Sequence, residues 1–342
     1  MADHIICADA LVGLGKIEAC SVDVCVTSPP YFGLRDYGVE GQIGLERTPE
    51  EYVGRLVPVF REVKRVLRDD GALWVIIGDS YTGSWGNYGG QNRGCGKQRA
   101  VVKGSLQSPA WDDLTDYRPA ASRKLDGIKP KDLIGIPWML AFALREDGWY
   151  LRQDIIWQKP NAMPESVKDR CTRAHEYLFM LTKSPRYYYD NDAIKESALK
   201  NTSQPMRGSS VSRRLNSERR KQDGHGRRHE GFNERYFAEG QQPAARRNKR
   251  SVWTVTTKPF KGAHFATFPP DLIEPCVLAS SRVGWLVIDP FCGSGTTGVV
   301  ALKAGRRFIG IDINPEYCGI AERRLVGVGS GDYTVQNIGL FL

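Results

Sequence analysis

The sequence predicts an α/β protein built on a mostly parallel sheet with helices on its faces. Three observations carry that prediction. Short apolar runs alternate with helix-spaced segments at both ends of the chain, a glycine-rich turn joins a strand to a helix near residue 293, and a long polar, basic stretch separates the two structured ends. Residues 4–7 form a first short strand, and residues 22–27 a second that ends at Ser28-Pro29-Pro30, where two prolines forbid a continuing central strand. From 50 to 67, apolar positions including Tyr52, Leu56, Phe60 and Val63 recur at helical spacing. Asp69-Asp70-Gly71 is expected to stop that helix, and residues 72–77 then read as a fully buried strand. Between 81 and 127, glycines punctuate a polar segment, a loop or insertion of a length that is either functional or disordered. A helix is predicted over 132–145, entered through Lys131-Asp132 and left through Asp147-Gly148. Strands follow at 150–157 and 177–181, rich in aromatic and β-branched residues. The closing segment reads as a helix at 271–281 opened by Pro269-Pro270, then strand 285–288, helix 297–304, strand 307–313 and helix 316–325, the order of a nucleotide-binding half.

With 342 residues, 41% hydrophobic and 25% charged, the chain can bury the core of one large or two modest domains. Its net charge of +9 favours a polyanionic partner. That charge is regional: residues 195–261 hold 17 Lys and Arg against 6 Asp and Glu, which leaves the rest of the chain near −2. Arginines arrive there in pairs, Arg213-Arg214, Arg219-Arg220, Arg227-Arg228 and Arg246-Arg247, with Phe232, Tyr236, Phe237 and Trp253 among them. By composition this is either a solvated linker or a nucleic-acid-binding module whose aromatics stack on bases or fill a small core. No apolar run is long enough to span a membrane and no signal peptide opens the chain, so a cytoplasmic protein is expected. The eight cysteines lack any C-x-x-C pair and read as reduced, mostly core thiols. His225 and His229 have a metal-like spacing but no supporting ligands nearby, and no metal is expected.

Two constellations carry chemistry. Asp289-Pro290-Phe291-Cys292-Gly293-Ser294-Gly295-Thr296-Thr297-Gly298 lies where a strand turns into a helix and holds a G-x-G-x-x-G, with Asp312 ending the next strand. Such glycines let a backbone approach a ligand, and the acid suits a ribose hydroxyl pair. Alone, this would suggest a dinucleotide dehydrogenase. Thr27-Ser28-Pro29-Pro30-Tyr31, however, sets a hydroxyl, two prolines and an aromatic in a stiff turn after a strand. Here the sequence resembles the DNA methyltransferases that modify exocyclic amino groups, whose catalytic motif is Asp/Asn/Ser-Pro-Pro-Tyr/Phe. The run from Asp289 to Thr297 is similar to that family's S-adenosylmethionine motif. The catalytic motif precedes the cofactor motif with a basic region between them, the order of the permuted beta group.

What the resemblance implies is specific. The fold is a Rossmann-like S-adenosylmethionine-dependent methyltransferase sheet, mostly parallel with an antiparallel edge strand, plus a basic target-recognition region. The catalytic part is 1–194, carrying the insertion 81–127, the recognition region is 195–250, and the cofactor-binding part is 251–342. The target amino group is a poor nucleophile because its lone pair is delocalised. Hydrogen bonds from its N–H groups to the Ser28 side chain and the Pro29 carbonyl favour a more tetrahedral nitrogen, Pro30 stiffens the turn, and Tyr31 stacks on the flipped base. Asp289, Phe291, Cys292, Gly293, Ser294, Gly295 and Thr296 are expected at the cofactor, Asp312 at its ribose and Ile313 at its adenine. His264 and Thr267 match the block that holds the methionine end, and Asp9 the block near the adenine. Trp157 to Pro160 and His175-Glu176 match family blocks whose expected role is to hold strands at the edge of the target pocket. Cys276, which follows a proline, lies in a predicted helix and reads as core, so carbon-5 chemistry is not expected.

Duplex DNA is the implied partner, with the paired arginines on its phosphates. Ser before the prolines favours cytosine N4, with adenine N6 the alternative. An inactive DNA-binding homologue and an RNA methyltransferase are remoter readings. A homodimer and a cognate restriction endonuclease remain open as partners.

Overall fold

The computed structural model describes residues 4–34, 36–82, 127–197, 246–257 and 268–329. The chain divides into two compact units, residues 190–250 and everything else. In the larger unit the elements run β1 (His4–Cys7), α1 (Ala10–Gly15), β2 (Val22–Thr27), α2 (Pro49–Val66), β3 (Leu67–Ile77), α3 (Ile136–Glu146), β4 (Tyr150–Gln158) and β5 (His175–Thr182). The smaller unit holds the two-residue strands β6 (Glu196–Ser197) and β7 (Arg246–Arg247), paired antiparallel. The larger unit resumes with β8 (Val252–Thr254), α4 (Pro270–Ser280), β9 (Leu286–Asp289), α5 (Thr296–Lys303), β10 (Arg307–Asp312) and α6 (Pro315–Gly329).

Eight strands form one sheet in the order β1-β10-β9-β2-β3-β5-β4-β8. All of its pairings are parallel except those of β5 with β3 and β4. The antiparallel strand is therefore inside the sheet rather than at its edge, because β4 and β8 extend the sheet beyond it. Both faces are covered, as the alternation along β3 shows. Leu73, Val75 and Ile77 pack with α1, α2 and α3, while Ala72, Trp74 and Ile76 pack with α4, α5 and α6. A strand buried on both sides reads as continuous apolar sequence, which is why residues 72–77 were legible.

Helix α2 shows how local chemistry sets an element. Thr48 caps it by accepting from the Glu51 amide, Pro49 opens it, and Tyr52, Leu56, Phe60 and Val63 bury one stripe. Its end differs from the expectation: Leu67 turns directly into β3, so Asp69-Asp70-Gly71 lies in a strand. Gly71 is needed for closeness, since a Cβ there would meet the Asp23 carbonyl at 3.0 Å. Helix α3 also starts later than residue 132. Its cap comes from Asp79, whose Oδ1 accepts from the Gly135 amide at 3.0 Å and the Ile136 amide at 3.2 Å, while Leu133 bridges to Tyr81. Trp253 decides between the two roles left open for the aromatics of the basic stretch. It sits in β8, 6% exposed, with its ring 6.5 Å from that of Trp74, so it fills the core and cannot stack on a base.

Candidate active site

The order of the sheet reverses between β9 and β2: β2 is followed by its neighbour β3 on one side, β9 by its neighbour β10 on the other. The carboxyl ends of two such strands splay their loops apart and leave a crevice, the usual ligand position in an open α/β sheet. A cavity of about 1050 Å³ opens here. Its wall includes Ser28, Pro29, Pro30 and Tyr31 after β2, the loop after β9, and the residues that follow β10.

The Ser28 turn is rigidly held. The Tyr52 hydroxyl, buried in α2, donates to the Pro30 carbonyl at 2.7 Å. The Tyr31 hydroxyl donates to Glu176 Oε2 at 2.7 Å, and the Ser28 side chain is its other hydrogen-bonding neighbour. Glu176 is also paired with Lys159, whose ammonium lies 4.2 Å from the centre of the Trp157 ring. Burial, reinforced by the Glu176 carboxylate, pushes the Tyr31 phenol well above the usual tyrosine range, so it stays a neutral donor. Gly78, just after β3, makes room for the ring: a Cβ there would fall 2.7 Å from Tyr31 Cε2. Glu176 was legible only as scaffold, and its link to Tyr31, 145 residues away, had no signal in the sequence.

The loop after β9 divides into wall and foundation. Phe291, Cys292, Gly293, Ser294 and Thr296 line the cavity, whereas Asp289 and Gly295 do not. Gly293, at φ 49°, has no atom within 4 Å of where a Cβ would be, so its backbone faces open space. Gly295 lies instead against α6, where a Cβ would meet that of Ala321 at 2.9 Å, and its role is close packing of two helices.

Asp289, expected at the cofactor, is 1% exposed and joins the two motifs from beneath. Its Oδ1 accepts from the Thr27 hydroxyl at 2.6 Å and the Phe291 amide at 3.0 Å, and its Oδ2 from the Thr297 hydroxyl at 2.7 Å. Burial pushes its carboxyl up to about 6 against the lowering effect of those hydrogen bonds.

Asp312 does reach the wall. Its Oδ2 accepts from the Gly293 amide at 2.8 Å and its Oδ1 from the Asn314 amide at 2.9 Å, which fixes the carboxylate and leaves a lone-pair site on each oxygen. Burial raises its pKa. Ile313 lines the cavity beside it. Asp9 lies on the wall too, with its Oδ1 capping α1 by accepting from the Leu11 amide at 2.9 Å. A fixed carboxylate, a backbone open at Gly293 and apolar side chains at Phe291 and Ile313 fit a ligand with a hydroxyl pair and a flat ring.

In the smaller unit Arg246 donates to the Lys195 carbonyl, and Arg247 and Arg250 both donate to Glu196 Oε1, at 2.9 and 2.8 Å. Arg213, Arg214, Arg219, Arg220, Arg227, Arg228, His264 and Thr267 lie outside the described residues, as does most of the segment 81–127. Among the described residues no helix is long and apolar enough to cross a membrane.

A family model described as DNA methylase, of the N6/N4 type, matches residues 22–323. The Type II methyltransferase M.Cfr9I of Citrobacter freundii is 50% identical over 319 residues, covering 93% of this chain and 86% of that protein. M.SmaI of Serratia marcescens, also a Type II methyltransferase, is 44% identical over 325 residues, covering 94% and 90%. Among solved structures, PvuII DNA methyltransferase (cytosine-N4-specific) aligns with TM-score 0.57 at 16% identity, over all of this chain and 92% of that one. TTHA0409 of Thermus thermophilus, complexed with S-adenosyl-L-methionine, aligns with TM-score 0.54 at 22% identity, over 96% and 94%. These two share the fold. The family match runs from β2, which delivers the Ser28 turn, into α6, which packs under the glycine loop, so it takes in both walls of the cavity: this chain belongs to the N6/N4 DNA methylase family.

Proposed function

We propose that this cavity transfers a methyl group from S-adenosyl-L-methionine to the N4 amino group of a cytosine flipped out of duplex DNA. The observation that carries the reading is the shared foundation of the two motifs. Through Asp289, the residue before Ser28 and the loop containing Gly293 hang on one buried carboxylate, so both present their ligands to the same space. When bound, the cofactor supplies an electrophilic methyl on a sulfonium. Asp312 accepts from its ribose hydroxyls, Phe291 and Ile313 pack on its adenine, and Gly293 lets the backbone close on it. Cys292, Ser294, Thr296 and Asp9 complete that end, with His264 and Thr267 toward the methionine group.

Ser28 Oγ and the Pro29 carbonyl would accept hydrogen bonds from the two N–H groups of the target amino group and draw its lone pair out of the ring. As the nitrogen takes the methyl, the sulfonium C–S bond breaks to leave a neutral thioether, and the surplus amino proton passes to water. Tyr31, held by Glu176, packs on the extruded base. The paired arginines of 195–250 hold the phosphates, and the parts 1–194 and 251–342 supply the two walls. Ser28 in place of a carboxylate supports cytosine N4. The Type II naming of M.Cfr9I and M.SmaI supports a cognate restriction endonuclease that shares the recognition site. Nucleoside digestion and mass spectrometry of DNA methylated by the protein tests the reading: N4-methylcytosine is expected, and N6-methyladenine alone would overturn the base assignment.

A further inference from the structure

A duplex base whose amino group is to be methylated must leave the stack, and the gap it leaves exposes two apolar base faces. Proteins that unstack base steps from the minor groove frequently insert an apolar side chain between them, and a gap left by a flipped base offers the same kind of surface. Among the large apolar side chains that stand exposed in the described residues, only Leu34 and Met163 line the cavity, at 49% and 78% exposure. Met163 lies between β4 and β5 on a segment pinned at both ends. On one side Asn161 exchanges two hydrogen bonds with Thr257, its Nδ2 donating to the Thr257 carbonyl at 2.9 Å and its Oδ1 accepting from the Thr257 amide at 3.0 Å. On the other, Arg170 donates to Glu165 and lies 4.0 Å from the centre of the Tyr81 ring, Lys131 pairs with Asp169 at 2.6 Å, and Arg173 donates to the Asp79 carbonyl. So much local anchoring leaves Met163 in water, although an apolar side chain gains from burial. Pro164 follows it and stiffens the backbone, Lys168 is exposed on the same segment, and the unbranched thioether adapts to an irregular gap.

We propose that Met163 enters the duplex at the position the target base vacates and so helps to hold the base out. This rests on the reading of the cavity as a DNA amino-methyltransferase site, and it adds a residue that touches the DNA left behind. The test is single-turnover methyl transfer on two duplexes carrying the site found by modification-aware sequencing. One is fully paired; the other has an abasic position opposite the target base, so extrusion costs little. Each variant is compared with wild type within each duplex. On the paired duplex M163A and M163Q are expected to be slower on the order of tenfold, and M163L to stay within about twofold. On the abasic duplex all three are expected within about twofold of wild type. M163A at the wild-type rate on paired DNA, or equally slowed on both duplexes, would overturn the wedge. A wild-type protein that methylates neither duplex would instead overturn the underlying reading.

Discussion

Replacing Asp289 by Asn tests whether a buried carboxylate holds the two motifs together. The change keeps size and shape. Asn Oδ1 can still accept from Thr27 and Phe291, and its amide can donate to Thr297 Oγ1, whose hydroxyl turns to the Val26 carbonyl at 3.4 Å. What disappears is the cost of an ionised group that is 1% exposed. Burial raises the folded-state pKa of Asp289 from 3.8 to about 6, while the unfolded chain titrates near the lower value. Between those values the native protein holds a proton that the unfolded protein has released. Stability from this group is therefore fully present below the unfolded pKa and is lost as pH rises through the folded one. The shift corresponds to about 3 kcal/mol. Urea unfolding of wild type and D289N at steps from pH 4 to pH 7.5 measures it. The difference between the two proteins should move by about 2.5 kcal/mol in the variant's favour across that range, most of it between pH 4 and pH 6.5. Parallel curves would show that the carboxylate is not desolvated in the native state, and the staple between the motifs would have to be redrawn.

Other perturbations separate the parts of the site. S28A should abolish methyl transfer from labelled cofactor while leaving cofactor affinity within about twofold, read by calorimetry; retained transfer would remove Ser28 from the reaction. G293V forces a β-branched side chain into a left-handed backbone and into the ligand space, so cofactor affinity should fall at least about tenfold, and unchanged affinity would show that the backbone there does not close on the cofactor. W253A should cost about 3–5 kcal/mol of stability by emptying the core beside Trp74; a DNA-binding defect with unchanged stability would return Trp253 to a base-stacking role. Replacing Arg219 and Arg220 together should weaken DNA binding and flatten its salt dependence while sparing the cofactor, and equal loss of both would place the basic region at the wrong ligand.

What could be read along the chain was whatever is decided by residues close together in it. The stripe from Tyr52 to Val63 makes α2 amphipathic without outside help, the double proline ends β2, and Gly293 announces a backbone that approaches a ligand. Segments whose partner is distant were misjudged for the same reason. Gly71 looked like a helix stop because the Asp23 carbonyl that it admits lies 48 positions back, and α3 took its cap from Asp79 rather than Asp132, a choice only the folded chain makes. For Trp253, amid arginines, stacking on a base and filling a core both stood open until its pairing with β4 put it in the core. Side-chain period and turn chemistry are local, so the alternation of strands and helices and the two motifs followed from the order of residues alone. Which motif residues face the cavity and which support it was settled by the folded chain: Asp289 belongs to the glycine loop in sequence but lies beneath it, since a buried carboxylate goes wherever its hydrogen-bond donors are, and Thr27 is 262 residues away.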